Sequence, residues 1–169
     1  MLHKLFSGAM LFAIFFVAQA NAQPNSTTIN PTLTIVQPIT ITKTVGKDLL
    51  FGRFSAYASA TGTVILGVDG QRSKNGGITL IEGVPYGAAE FKVEGMANAA
   101  FNLTLPTTAT LTNNQYEMTV SNFVTSISGT PAIGSNGELV FSVGATLTKD
   151  VDTPRGTYSG TFSLTVNYE

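Results

Sequence analysis

Two stretches decide the fold class: Leu139-Val-Phe-Ser-Val-Gly-Ala-Thr-Leu147 and Gly156-Thr-Tyr-Ser-Gly-Thr-Phe-Ser-Leu-Thr-Val-Asn-Tyr168. In the first, Leu139, Phe141, Val143, Ala145 and Leu147 occupy every second position. In the second, Tyr158, Gly160, Phe162, Leu164, Val166 and Tyr168 do so, and the residues between them, from Thr157 to Asn167, are all polar. A period of two is that of a strand with one buried face. Slipping either strand by one residue would turn its whole apolar set to water, so its register is strongly specified.

Working towards the N-terminus, the same alternation returns repeatedly. Tyr116, Met118 and Val120 share a face, with a further short strand expected near Phe123–Ile127. Phe101, Leu103 and Leu105 precede a stop at Pro106, and Ala89, Phe91 and Val93 line another face. The dense run Gly62–Val68 reads as a central strand, and Ile78–Glu82 as its return across a polar loop opened by Asp69-Gly70 and closed by Lys74-Asn75-Gly76-Gly77. Such Asx-Gly pairs supply the positive φ that hairpin turns require. Asp48–Phe54 carries Leu49, Leu50 and Phe51. Leu33 and Ile35, then Ile39 and Ile41, alternate with threonines on either side of Pro38, which marks an edge, a bulge or a strand switch. Many short strands separated by turn signals predict an all-β antiparallel sandwich of roughly eight to ten strands.

The first residues carry processing information. Lys4 is followed by an apolar run through Val17 and by small residues ending at Ala20 and Ala22. This is the pattern of a cleaved secretory signal peptide, with cleavage after Ala22 or Ala20. The run is shorter than the roughly 20 residues of a stable membrane span. The expected organisation is a signal peptide over 1–22, a flexible polar leader over 23–31 and one sandwich domain over 32–169, with no transmembrane segment in the mature chain. Export to the periplasm, cell surface or medium follows. Removing residues 1–22 takes Lys4 from the nine Lys/Arg and nothing from the ten Asp/Glu, leaving a net charge of −2. Without a basic stripe, nucleic acid is not an expected partner.

Catalytic chemistry has few carriers. The single histidine, His3, leaves with the signal peptide, and there is no cysteine. The usual neutral-pH base, thiol nucleophile and transition-metal ligands are therefore missing from the mature chain. Glu82, Glu90, Glu94, Glu117, Asp48 and Asp69 could form a carboxylate pair, but Glu90 and Glu94 read as the solvated face of a strand. Asp150 and Asp152 have D-x-D spacing, yet a calcium site needs six or more oxygens, and a turn is the simpler reading. The sequence points to no catalytic, cofactor or metal residues and to a protein that is not an enzyme.

The C-terminal strand also carries a resemblance. Gly156 is fourteenth from the end, Tyr168 is penultimate, and apolar residues or glycine alternate between them. This is similar to the C-terminal signature of chaperone–usher pilins. The chain as a whole more closely resembles a family of secreted Gram-negative proteins catalogued as domain of unknown function 4402. The resembling pieces include Leu50-Phe-Gly52, Gly87-Ala-Ala-Glu-Phe91, Val143-Gly-Ala-Thr-Leu147 and Gly156-Thr-Tyr-Ser-Gly-Thr-Phe162. That family implies an immunoglobulin-like sandwich and brings no established activity. The chain is also distantly similar to pilins of the spore-coat-protein-U type; many pilins carry a disulfide, which this chain, without cysteine, cannot form.

The pilin resemblance implies a structural subunit of a surface fibre, assembled by strand donation with a periplasmic chaperone and usher. Leu33, Ile35, Ile39 and Ile41 would be the donor, or else the first strands of a complete domain. Gly156, Tyr158, Gly160, Phe162, Leu164, Val166 and Tyr168 would line the acceptor groove and bind the chaperone. The other reading is a self-contained secreted or outer-membrane-associated domain that binds carbohydrate or protein through its loops, with Tyr57, Tyr86 and Tyr116 as candidate contact aromatics.

Overall fold

The structure is a computed structural model describing residues 25–169. The expected signal peptide lies outside the described residues. Residues 25–34 and residues Ile35–Glu169 belong to separate units. Residues 25–34 have no regular secondary structure, and Ile29 and Leu33 there are 79% and 88% exposed.

Among the described residues the second unit is all-β. Its strands are β1 (Thr40–Lys43), β2 (Arg53–Ala56), β3 (Gly62–Leu66), β4 (Arg72–Gly76), β5 (Ile78–Ile81), β6 (Ala89–Glu94), β7 (Phe101–Thr104), β8 (Thr108–Asn113), β9 (Tyr116–Thr125), β10 (Glu138–Lys149) and β11 (Thr165–Tyr168). All pairings are antiparallel. β1, β6, β10, β3 and β4 neighbour one another in that order, and β9 and β8 complete this seven-stranded sheet beside β10. Two ribbons, β2–β5 and β7–β11, pack against it to make a sandwich.

β10 organises the whole, as its unbroken alternation predicts. One of its edges pairs with β6 over 138–143 and with β3 over 145–149, while the other pairs with β9. Gly144 falls where the two partners meet. A Cβ there would collide with the Leu66 carbonyl, so only glycine lets β3 end so close. Opposite Ala145, β9 carries a bulge at Asn122-Phe123, with Asn122 at φ 51°.

The inward residues form two clusters. One gathers Val64, Leu66, Met118, Val120, Ala145 and Leu147 under Phe54 and Leu80 of the β2–β5 ribbon. The other gathers Val93, Phe141 and Val143 with Phe101, under Leu103, Val166 and Tyr168 of the β7–β11 ribbon. Phe123 touches both.

Several elements differ from expectation. Arg72–Gly76 is not loop but β4, because the hairpin turns earlier, at Asp69-Gly70, where Asp69 Oδ1 accepts from the Gln71 amide and Gly70 has φ 78°. The strand near Phe123–Ile127 is the continuation of β9 past its bulge. Leu33 and Ile35 are in no strand, and Asp48–Phe54 contributes only a bridge from Leu50 to Gly87 and the start of β2. The last strand forms a ladder only over Thr165–Tyr168.

Candidate functional site: a groove beside the last strand

The unpaired half of the last strand is what makes a site. Ser159 bridges to Thr112 at the end of β8, and the β7 ladder begins only at Thr165; residues 160–164 between them belong to no strand. Across the inner layer, β2 pairs with β5 on one edge alone. Between these two stretches runs an open groove of about 1560 Å³. Leu49–Ala56 form one wall and Arg155–Phe162 the other, over Phe91, Met118, Val120 and Leu147 of the large sheet. Along this groove neither residues 160–164 nor the outer edge of β2 has a paired strand.

The last strand supplies apolar side chains to this wall and to the core. Tyr158 packs on the first cluster, and its hydroxyl donates to the Pro154 carbonyl at 2.9 Å. Burial pushes its phenol above the ordinary value, and neighbouring Tyr116 adds to the shift. The Phe162 ring lies 5.1 Å from Phe123 and 6.3 Å from Phe91, centroid to centroid. Leu164, Val166 and Tyr168 pack on the second cluster. Gly156 and Gly160 both face β8. A Cβ on Gly160 would strike the Thr110 carbonyl, so Gly160 lets the last strand lie against β8 of its own chain, whereas one on Gly156 would meet only the movable carboxamide of Asn113.

The end of the groove beyond Ala56 is fixed by Lys149, which is 5% exposed. Its ammonium donates to the carbonyls of Ala58, Ala60 and Asp150 at 3.3, 2.8 and 2.8 Å, tying the loop after β2 to the end of β10. Asp150 and Asp152 sit in this turn, Asp152 at φ 57°. The other wall is braced by Arg72, whose side chain is 2% exposed. It donates to the carbonyls of Phe51, Arg53 and Ile81 at 3.1, 3.1 and 2.6 Å and lies 4.1 Å over the Tyr86 ring. Neither basic residue stood out in the sequence, because nothing in a polar turn marks which cation will be buried.

The four donor candidates are divided. Ile39 and Ile41 are half-buried against the second cluster, and β1 pairs with β6 from Thr40 to Lys43. Leu33 and Ile35 are 88% and 89% exposed. Ile29, absent from the sequence-based set, is 79% exposed and keeps the same odd-numbered phase as Leu33 and Ile35, with Pro31 between.

A family model described as domain of unknown function (DUF4402) matches residues 39–168. The chain belongs to this family. No curated protein and no solved structure matches it. The DUF4402 match begins at Ile39, the first residue committed to the core, and leaves the exposed Ile29, Leu33 and Ile35 outside.

Proposed function

We propose that this DUF4402 protein is a non-enzymatic exported structural protein, a pilus- or fimbria-type surface subunit assembled by β-strand donation. The observation that carries the reading is the groove: an unpaired stretch of the last strand facing an unpaired edge of β2 across an apolar floor. Strand addition is the chemistry such a groove accepts. Main-chain hydrogen bonds give affinity, and alternate side chains entering the floor give specificity. The occupant is the leader of another copy, with Ile29, Leu33 and Ile35 pointing inward. Ile39 and Ile41 stay in their own domain. An open groove of this kind is an aggregation hazard, which a periplasmic chaperone would cover until an usher assembles the fibre.

The test compares the exported protein with a version lacking residues 25–34, which spares Gln37, Ile39 and β1. Multimers that resist detergent until heated, and that vanish with the deletion while the β-sheet spectrum persists, are the expected result. Equal monomers from both forms would defeat the reading. In that case the exposure of Tyr57, at 84%, favours the second reading, a self-contained domain that binds through its loops.

A further inference from the structure

The last strand and the stretch from β1 to β2 run in opposite directions. β1 and β10 are both antiparallel to β6, β8 runs with β10, and Ser159 bridges antiparallel to β8. The end of the last strand therefore lies beside the start of the β1 segment, and there the two are joined. Tyr168 Oη donates to the Gln37 carbonyl at 2.8 Å and accepts from the Met96 amide at 2.7 Å. Gly95 leaves room for the ring, since a Cβ on it would press on the Tyr168 hydroxyl. No residue of 37–41 or 164–168 lines the groove, which is open only from Lys43 and Phe162 onward.

We infer that the Tyr168–Gln37 clasp closes the groove at the root of the leader and so makes strand donation intermolecular. The inference rests on the strand-donation reading above. To fill its own groove, the leader would have to reverse direction at Val36-Gln37-Pro38 and run back along the last strand. Two features oppose that reversal. Pro38 disfavours the helical conformation of Gln37, the one a tight turn centred on Gln37 would need. Tyr168 holds the Gln37 carbonyl, which a new turn would have to release. Chain stiffness and one hydrogen bond thus act on the same residue, and the occupant of the groove is a second copy.

The experiment uses the exported full chain and the variants Tyr168→Phe and Pro38→Ala. In each, the share of heat-labile multimers is measured, together with protease protection of residues 25–34 in the monomer fraction. Tyr168→Phe is expected to raise the monomer share on the order of fivefold, the shift one ordinary hydrogen bond provides, and Pro38→Ala to raise it in the same direction by freeing the backbone at Gln37. The leader of those monomers should be protected, because it occupies its own groove. Binding of a synthetic 25–36 peptide to leader-deleted forms of both variants checks that each groove is intact. Unchanged multimers in either variant with an intact groove, or monomers whose leader is cleaved freely, overturn the clasp. If the unmodified protein forms no leader-dependent multimers, it is the strand-donation reading that fails.

Discussion

The ring of Phe162 stands edge-on to Phe91 of β6, with 6.3 Å between centroids and 69° between planes. This contact joins the unpaired half of the last strand to the large sheet, and Phe91 in turn stacks on Phe141 at 5.8 Å. Phe162 is only half-buried because the groove opens beside it. Truncating it to alanine is therefore expected to cost about 1–3 kcal/mol of stability, less than a fully buried phenylalanine, since part of its surface already meets water. The same change should weaken binding of a 25–36 peptide by tenfold or more, because the ring also forms the wall an incoming strand would touch. Urea denaturation and peptide titration separate the two effects, and unchanged peptide affinity in a variant that is still folded would mean that Phe162 is purely core.

Arg72 gives a prediction of a different kind. Its guanidinium is buried and satisfies the carbonyls of Phe51, Arg53 and Ile81, linking β4 to the loop before β2 and to β5. Arg72→Met keeps much of the volume but removes all three of those bonds, the one to the buried Phe51 among them. A loss of about 2–4 kcal/mol is expected, because unsatisfied buried groups cost more than a made hydrogen bond gains. Arg72→Lys should recover only part of it, since an ammonium cannot reproduce the planar fork. The partner Glu82 is 72% exposed on its side chain, so Glu82→Gln should change stability by less than about 1 kcal/mol. Thermal denaturation of the three variants checks the ordering.

The contrast between these two residues shows what was legible in the sequence. Phe162 announced itself by phase, as did Val143, Leu147 and Val166, because period-two alternation is a direct image of a half-buried strand. The sandwich class followed from such residues. Where the last strand lacks a partner did not, because Thr161 and Ser163 look the same whether or not their backbone is paired. Arg72 reads as loop, since Arg-Ser-Lys-Asn-Gly has no apolar alternation, and pairing with the strong strand β3 overrides its weak propensity. Ile39 and Ile41 share a phase with Leu33 and Ile35, so pattern alone could not tell residues packed in the core from exposed ones.

Alkaline pH should loosen the groove wall. Burial raises the Tyr158 phenol above its ordinary value of 10.0, so the folded state favours the neutral form. The unfolded chain then loses this proton first. The contribution is whole below pH 10.0 and is lost as pH rises from there through the higher folded value. Stability and peptide binding should both fall across that window. Tyr158→Phe should flatten the fall while also losing the bond to the Pro154 carbonyl, and a variant that declines as steeply as the parent would remove Tyr158 as the cause.

The phase of the leader is the most discriminating handle on the groove. Ile29, Leu33 and Ile35 lie at odd positions, whereas Thr28, Thr32 and Thr34 lie at even ones. A strand seated over an apolar floor buries one of these sets and exposes the other. Changing Leu33 or Ile35 to asparagine is expected to reduce the multimer association constant by about 10- to 100-fold each, the equivalent of about 1.5–3 kcal/mol for one buried aliphatic side chain. Changing Thr32 or Thr34 to asparagine should leave it within about threefold. Ile39→Asn should instead lower the melting temperature of the leader-deleted form, because Ile39 packs in its own domain. Sensitivity at odd and even positions alike would point to an unspecific sticky leader, whereas sensitivity confined to the odd positions is what a seated strand requires.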